Sequence, residues 1–367
     1  MKIVLTIHHR LSRNAGAPGV TLDFAEQLTK QGHKVRVISF DDLQLRLPER
    51  VAALLFPLLV AWRLLCWRPA IVDASTGDAA AIIMMPRVLR PFVVVTRSHG
   101  LEPLAWRREK DESITAARQI SFRRRLYMNL CRVPMVNLTL RRSDGVIALN
   151  QDEADYLKRL GARAIIVSAN GIPDHLAPEP HPTELPIDAI TGIAFVGSYI
   201  ARKGIDVLAT ATSELFKNRD DVRLGLFGTG ADQSTILSDY SKCIHSRISV
   251  VPQFERSELP RLLADYDILA CPSFFEGASI ALLEGMACGL APVVTEACTS
   301  GVVRDGINGL VVQTGDAKAF ERALKRLVGS PKLRRQLASA AQQTAREHTW
   351  SIVCERIASW YSELLYA

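Results

Sequence analysis

The stretch that decides the fold is ILACPSFFEGASIALLEGMACGLAPVVT, residues 268–295. It begins with an apolar run (Ile268–Pro272), passes through a turn of small residues into an apolar helix-forming segment, and ends with a second apolar run (Ala291–Thr295). Runs that are apolar almost throughout are typical of parallel strands whose two faces are both covered by helices. The stretch therefore predicts a strand–helix–strand unit of an α/β fold.

The rest of the chain repeats this alternation twice. Six runs in the first half are predicted strands: Ile3–Ile7, Val35–Phe40, Ala70–Asp73, Phe92–Thr96, Gly145–Leu149 and Ala164–Ser168. The second series adds four more around the deciding stretch: Gly192–Val196, Val222–Phe227, Ile248–Val251 and Gly309–Val312. Between the series, residues 172–186 contain five prolines, which neither a helix nor a central strand tolerates. We therefore predict two Rossmann-like domains, 1–175 and 191–350, joined by a linker over 176–190.

Length and composition limit the function classes. The chain has 367 residues, of which 48% are hydrophobic and 23% charged, a balance that excludes disordered, collagen-like and coiled-coil proteins. The seven cysteines are odd in number and lack the spacing of zinc ligands, which favours a reducing compartment. Residues 1–7 lack a signal-peptide cleavage site and read as a buried strand, so we expect a cytoplasmic protein.

The net charge of +7 is unevenly distributed, with +10 in residues 1–175 and −3 in the remainder. The first half is therefore the expected face for an anionic partner, such as lipid headgroups, a phosphorylated acceptor or nucleic acid. The alternative is a solvated basic surface.

One apolar run could be mistaken for a membrane span. Val51–Trp62 is interrupted by Pro57, is followed by Arg63 and Arg68, and is much shorter than the roughly 20 residues that cross a bilayer. It predicts a buried or half-buried helix of the first domain. The alternative is a helix that contacts a membrane surface.

Two glutamates in residues 268–295 are candidate ligand-binding residues. Glu276 lies in the turn, and Glu284 follows eight residues later, about two helical turns on. The backbone amides of Gly277–Ile280 would open the helix and could bind an anion. A carboxylate on each side of a diphosphate could then bind the hydroxyls of a sugar and of a ribose. The alternative is that both are ordinary helix residues that cap and solvate the first turn.

These glutamates do not stand alone. Phe195–Asp206 and Leu224–Ala231 each carry a strand into a glycine turn, and Val302–Leu310 forms a turn beyond the glutamate helix. Together with the glutamate block they resemble the donor-binding domain of the retaining nucleotide-sugar glycosyltransferases with the GT-B fold, family 4. Three segments of the first half fall where that family has counterparts: Asn14–Gly16, Ser98–Gly100 and Ser168–Pro173. The resemblance covers essentially the whole chain. It implies an α/β GT-B fold, two Rossmann-like domains facing across a cleft, with the C-terminal helix 351–367 packing back on the first.

The resemblance also implies residue roles. Glu276 would hold the donor sugar, Glu284 the ribose, and Lys203 would neutralise the leaving diphosphate, while His99 would position the acceptor side. The further donor contacts implied are Gly16, Ser198, Arg202, Gly228, Gly230, Val251, Pro252, Gly277, Ala278, Ser279 and Ile280, with Val251 and Pro252 bordering the base. Ser198 departs from the pattern, because many members have an arginine there, and a serine cannot clamp a phosphate bidentately. Arg202 would supply the charge, or Lys203 would carry it alone.

The resemblance implies a metal-independent transfer of a sugar from a nucleotide sugar, with retention of the anomeric configuration. A UDP-sugar is the preferred candidate donor and GDP-mannose the next, and no cofactor is expected. Asp265 and Asp267 form a DxD pattern at a helix-to-strand junction, and we interpret them as structural. We expect no metal site.

Residues 106–142 contain ten Lys/Arg interleaved with aromatic and apolar residues, which suits an anionic membrane surface. We therefore expect a lipid-linked or oligosaccharide acceptor for cell-envelope polysaccharide, and a protein peripheral on the inner face of the cell membrane. The predicted basic patch is Arg107, Arg108, Arg118, Arg123, Arg124 and Arg125. The alternative is a basic loop and helix with no lipid role. No segment resembles a base-reading module, so nucleic acid is not an expected partner.

Two other functions stay open: a nucleotide-sugar epimerase or phosphorylase of the same fold, and a non-catalytic nucleotide-sugar-binding partner of a glycan synthase. A dinucleotide oxidoreductase is poorly supported, because Gly228-Thr229-Gly230 lacks the third glycine before its helix.

Overall fold

The computed structural model describes residues 1–13, 16–43, 48–115, 120–176 and 190–366. The chain forms two compact units, one of Met1–Asn170 with Trp350–Ala367 and one of Gly171–Thr349. Residues 171–175, which the sequence analysis grouped with the first domain, are thus part of unit 2. Most of the predicted linker, residues 177–189, lies outside the described residues.

Unit 1 contains a six-stranded parallel sheet with the order β2-β1-β3-β4-β5-β6. Its strands are β1 Lys2–Ile7, β2 Lys34–Ser39, β3 Ile71–Ser75, β4 Val93–Arg97, β5 Gly145–Ala148 and β6 Ala164–Val167. β3, β4 and β5 are buried along their whole length, as strands covered on both faces should be.

The helices that the structure describes in unit 1 are α1 Gly16–Lys30, α2 Glu49–Trp67, α3 Ala80–Ile83, α4 Glu102–Thr115, α5 Phe122–Tyr127, α6 Val133–Arg142, α7 Gln151–Leu160 and α14 Trp350–Tyr366. The apolar run Val51–Trp62 lies within α2, whose Phe56 and Val60 are fully buried, so this helix is half-buried. None of the described helices is long and apolar enough to span a bilayer.

The last helix, α14, completes unit 1. Trp350 packs on Phe24 of α1 with ring centroids 5.9 Å apart. Tyr361 donates a hydrogen bond to the buried carboxylate of Asp73, which also accepts from Arg97 Nε at 2.9 Å. A buried ion pair thus depends on a hydroxyl from the C-terminal end of the chain.

Unit 2 contains a second six-stranded parallel sheet with the order β12-β11-β10-β7-β8-β9. Its strands are β7 Thr191–Val196, β8 Val222–Phe227, β9 Ile248–Val251, β10 Ile268–Cys271, β11 Ala291–Thr295 and β12 Leu310–Val312. The described helices are α8 Ile205–Asn218, α9 Gln233–Leu237, α10 Leu259–Leu263, α11 Ile280–Ala287, α12 Ala317–Val328 and α13 Pro331–Arg346.

The strand orders show where each sheet can bind a ligand. In unit 2 the chain moves outward from β7 to β8 and β9, then returns to place β10 on the other side of β7. The loops after β7 and β10 therefore leave the sheet in a crevice at its carboxyl edge, the usual ligand site of open α/β sheets. In unit 1 the same reversal occurs between β1 and β3. Both predicted domains are confirmed as Rossmann-like.

Candidate functional site

A close approach of two loops builds the centre of the site in unit 2. Gly204, in the turn after β7, has φ +74° and lies so near the end of β10 that a Cβ there would be 2.0 Å from the Pro272 carbonyl oxygen. Only glycine satisfies both conditions. The Phe274 amide donates to the Arg202 carbonyl at 2.9 Å, which fastens the two loops together. This hydrogen bond holds Arg202 and Lys203 next to the turn that carries Glu276.

Glu276 is held by these two cations. Its Oε1 lies 2.6 Å from Lys203 Nζ and 3.4 Å from Arg202 Nη1, and Arg202 Nη1 also donates to the Phe275 carbonyl at 3.0 Å. The Glu276 side chain is 10% exposed and that of Lys203 16%, so this pair is largely removed from water. A group with more negative charge, such as a diphosphate, could therefore compete with Glu276 for both cations.

The second predicted carboxylate is also paired. Glu284 lies in α11 with its side chain 7% exposed, and its Oε1 accepts a hydrogen bond from Arg256 Nε. Burial, together with the charge of Glu284, raises the pKa of the neighbouring Cys288 thiol to about 12. The sequence analysis did not single out Arg256, which is 28 positions away from Glu284.

The start of α11 differs in detail from the anion site that the sequence suggested. Ser279 is the N-cap residue, and its hydroxyl accepts from the Leu282 amide at 3.3 Å. The Ser279 amide donates to Ser300 Oγ at 2.9 Å, so in this structure that amide already has a protein acceptor. Gly277, Ala278 and Ile280 lie in the same turn and first helical position.

Val251 and Pro252, predicted to border the base, lie at the end of β9, next to the predicted donor contacts Gly228 and Gly230 in the loop that follows β8. The Gly228 amide donates to the Val251 carbonyl at 2.8 Å, and the Gly230 amide donates to the Pro252 carbonyl at 3.0 Å. Both glycines have left-handed φ values, +70° and +63°. Ser198, after β7, is exposed.

In unit 1, His99 and Gly16 lie near the carboxyl edge of the sheet. Gly16 is the first residue of α1, and the two residues before it lie outside the described part. His99 follows β4, and burial lowers its pKa to about 3, with the positive charge of Arg97 acting in the same direction. The imidazole is therefore neutral at physiological pH and can both donate and accept a hydrogen bond.

A polar cluster beside His99 was missed by the sequence analysis. His8 Nδ1 donates to Asp78 Oδ1 at 2.8 Å, and His8 Nε2 accepts from Arg132 Nη2 at 2.9 Å. Arg132 also pairs with Glu102, which accepts from Thr76 Oγ1 at 3.0 Å. The Arg132 side chain is 7% exposed, and its Nη1 has no hydrogen-bond partner. Arg132 lies in a π-helical turn, Met128–Arg132, a feature frequent at functional sites. The sequence signal for this cluster was the His8-His9 pair directly after β1.

The predicted basic patch is only partly available. Arg107, Arg123 and Arg125 are exposed, whereas Arg124 is bound to Glu109 through two hydrogen bonds of 2.8 Å. Arg108 lies 3.9 Å from Asp152, and Arg118 lies outside the described residues. Trp106, counted among the interleaved aromatic residues, is 3% exposed and donates to Asn129, so it cannot meet a surface.

No group of three or more His, Cys, Asp or Glu side chains suited to a metal ion occurs in the part of the chain that the structure describes. In the DxD pattern, Asp267 Oδ2 accepts from the Gly192 amide at 2.9 Å and Oδ1 lies 3.5 Å from Arg334 Nε. Asp267 therefore ties β10 to β7 and α13.

Parts of known proteins are similar in sequence to this chain. The chain is 32% identical over 183 residues to the D-inositol 3-phosphate glycosyltransferase of Salinispora tropica, covering 47% of this chain and 38% of that protein. It is 28% identical over 209 residues to the phosphatidyl-myo-inositol mannosyltransferase of Mycobacterium leprae, covering 56% of this chain and 55% of that protein. The matches thus span about half the length of such relatives or less.

Solved structures share the fold over the whole chain. Sucrose-phosphate synthase from Thermosynechococcus elongatus superposes with a TM-score of 0.77 at 17% identity, covering 100% of this chain and 99% of that one. Anabaena HepE in complex with UDP superposes with a TM-score of 0.69 at 19% identity, covering 99% and 100%. The sequence model of Glycosyltransferase Family 4 matches residues 15–176, and that of Glycosyl transferases group 1 matches residues 191–330. The chain therefore belongs to the group 1 glycosyltransferases of family 4, with the GT-B fold.

Proposed function

We propose that the protein is a retaining glycosyltransferase that moves a sugar from a nucleotide sugar to a lipid-linked or glycan acceptor in cell-envelope polysaccharide synthesis. A UDP-sugar is the first expected donor and GDP-mannose the second. The observation that carries the proposal is the pair of shielded carboxylates, Glu276 and Glu284, each held by a basic side chain at the carboxyl edge of the unit 2 sheet.

Donor binding is proposed as an exchange of ion pairs. The diphosphate takes Lys203, with Arg202 in place of the arginine that Ser198 replaces, and Glu276 is released to accept hydrogen bonds from the donor sugar. Glu284 accepts from the ribose, and the base lies against the loops of Gly228–Gly230 and Val251–Pro252. Amides at the start of α11 and at Gly16 add donors to the phosphates.

Catalysis then consists of stabilising the leaving diphosphate. We propose that Lys203 and the α11 amides stabilise the negative charge that develops on the diphosphate as its bond to the sugar breaks, and that they do so without a metal. The acceptor attacks from the face that the diphosphate leaves, and the diphosphate takes the acceptor proton. The anomeric configuration is thereby retained.

Unit 1 is the proposed acceptor domain. Neutral His99 can donate to an acceptor or sugar hydroxyl, and the cluster of His8, Arg132 and Glu102 offers donors and acceptors beside it. The names of the two relatives specify inositol 3-phosphate and phosphatidyl-myo-inositol, which supports an acceptor with a polyol and a phosphate, in one case on a lipid.

Membrane association is the final part of the proposal. Phe122, Leu126 and Leu130 are exposed at four-residue spacing, next to exposed Arg123 and Arg125. An amphipathic segment with basic neighbours binds anionic headgroups. We therefore propose that the protein works as a peripheral protein at the inner face of the cell membrane.

Thermal unfolding in the presence of UDP, GDP, ADP and NAD tests the donor class. A ligand at about one hundred times its dissociation constant stabilises the protein by roughly 2.7 kcal/mol, which is readily measured. We expect UDP or GDP alone to raise Tm, and the Glu284→Ala variant to lose this shift. No shift with any nucleotide would contradict the proposal. A shift without turnover of any nucleotide sugar would favour the non-catalytic binding protein.

A further inference from the structure

Helix α2 is apolar on two faces. Phe56, Val60 and Leu64 are fully buried in the core of unit 1. Six other side chains, spaced three or four residues apart and therefore on one side of the helix, are exposed by 39–60%: Val51, Leu54, Leu55, Leu58, Trp62 and Leu65. Core packing explains the first set and leaves the second unexplained.

The segment after α3 is also apolar and exposed: Met84, Val88 and Leu89 are exposed by 65%, 86% and 53%. We call the six exposed apolar side chains of α2 the α2 face. Single exposed apolar side chains are ordinary, but a concentration of this kind marks an interaction surface.

The charges of helix α2 are mostly basic. Residues 49–72 contain three arginines, Arg50, Arg63 and Arg68, and one acidic residue, Glu49. Arg68 is exposed at the C-cap of α2. The Arg63 guanidinium lies 5.3 Å from the Trp62 ring centroid and 3.7 Å from Asp42, and Arg87, 64% exposed, donates to Asp144 at 2.6 Å, so a lipid phosphate would compete with these two aspartates. An apolar face with a half-exposed tryptophan and arginines at its border matches a lipid interface, where the apolar groups enter the acyl boundary and the arginines meet phosphate.

We propose that the α2 face inserts into the surface of an anionic phospholipid membrane. This extends the proposed function, since it supplies an apolar anchor besides the basic residues around Arg123. The face belongs to unit 1, whereas the proposed donor groups Glu276, Glu284 and Lys203 belong to unit 2. Membrane binding and nucleotide binding can therefore be tested separately on the full chain.

The test is flotation of the full chain with vesicles of phosphatidylcholine alone and of phosphatidylcholine with phosphatidylglycerol. The variant Leu55→Gln/Leu58→Gln changes two α2 side chains that are 42% and 60% exposed. The matched control, Ile307→Gln/Ile352→Gln, changes two apolar side chains that are 58% and 46% exposed elsewhere. We expect the wild type and the control to float with the anionic vesicles, and the α2 variant to bind about tenfold more weakly or worse.

Trp62 gives a second readout. Brominated anionic lipids should quench the wild-type fluorescence, and Trp62→Phe should remove most of that quenching. Equal binding of the α2 variant and wild type, or no wild-type binding, would overturn the proposal. So would an α2-dependent dimer that ignores vesicles. The Tm shift with UDP or GDP, measured on the same variants, reports on the proposed function: its loss with vesicle binding intact would contradict the donor site alone.

Discussion

The ion pair between Glu284 and Arg256 makes the proposed ribose contact open to a direct test. If Glu284 accepts a hydrogen bond from the ribose 2′-hydroxyl, then removing that hydroxyl costs binding free energy only while the carboxylate is present. The Glu284 side chain is 7% exposed, so the contact is a hydrogen bond to a largely desolvated charge. Such bonds contribute about 1.5–3 kcal/mol, equivalent to roughly a 10- to 150-fold change in the dissociation constant.

The assay is calorimetric titration of wild type and Glu284→Gln with UDP and with 2′-deoxy-UDP, or with the GDP pair if GDP gives the larger Tm shift. Glutamine keeps the size of the side chain and removes its charge. We expect the wild type to discriminate between the two nucleotides by the factor above, and the variant to bind both within about threefold of each other. This double comparison isolates one contact from the general loss of affinity.

Arg256→Gln extends the cycle to the positioning of the carboxylate. Arg256 holds Glu284 Oε1, so its loss should raise the dissociation constant for UDP and reduce discrimination against 2′-deoxy-UDP. Arg261→Gln is the control, because that side chain is 77% exposed and belongs to the same unit. Undiminished discrimination in Glu284→Gln would refute the ribose assignment. Undiminished discrimination in Arg256→Gln would refute the positioning role alone.

Three further predictions concern stability, pH and thiols. Gly204→Ala should destabilise unit 2 by about 2 kcal/mol or more in chemical denaturation, while Gly306→Ala, with φ +69° but no atom within 4 Å of its Cβ, should cost about 1–2 kcal/mol for the backbone alone; equal losses would contradict the close contact. Because the native pKa of His99 is lowered to about 3 and the unfolded value is near 6.5, protons bind the unfolded chain preferentially between these values. The free energy of unfolding should therefore fall with falling pH through that window, by up to about 1.4 kcal/mol per unit, and less steeply in His99→Asn; parallel curves would show that His99 does not titrate abnormally. A thiol reagent at pH 8 should label three cysteines rapidly in the native protein and all seven after denaturation, the rapid ones being the exposed Cys66, Cys131 and Cys243; rapid loss of Cys288 would contradict its raised pKa.

The strands were predictable because each depends on local composition. Strands covered on both faces must be apolar throughout, so central strands such as β3, β4 and β5 appear in the sequence as short apolar runs. The edge strand β2, KVRVIS, alternates between apolar and polar residues and is partly exposed. The predicted ends of the described strands differ from the observed ones by at most two residues. The glutamate motif was visible for the same reason, since one turn and one helix carry both carboxylates. The hydrogen bonds around this motif were not predictable in the same way. The Ser279 amide, for example, donates to the hydroxyl of Ser300, a residue outside the motif.

Hydrogen bonds between residues far apart in the sequence leave no pattern of composition or periodicity from which they could be predicted. His8 and Asp78 are 70 positions apart, and His8 and Arg132 are 124 apart, so only the strand order brings them to one edge of the sheet. The burial of Trp106 was missed because charged neighbours suggested an exposed segment, while its indole N–H is bound to Asn129 across a turn of the tertiary structure. Periodicity and composition report on elements, whereas partners of charged side chains depend on how those elements are assembled.

The connectivity of α14 has a consequence for how the chain is made. Unit 2 is one continuous segment, whereas unit 1 is interrupted and is completed by residues that are synthesised after all of unit 2. Until they emerge, Asp73 lacks the hydroxyl of Tyr361 and Phe24 lacks Trp350. N-terminal domains generally fold first during synthesis, but unit 1 cannot form all of its native contacts until unit 2 has been synthesised. All of unit 2 can therefore have emerged from the ribosome while unit 1 still lacks α14.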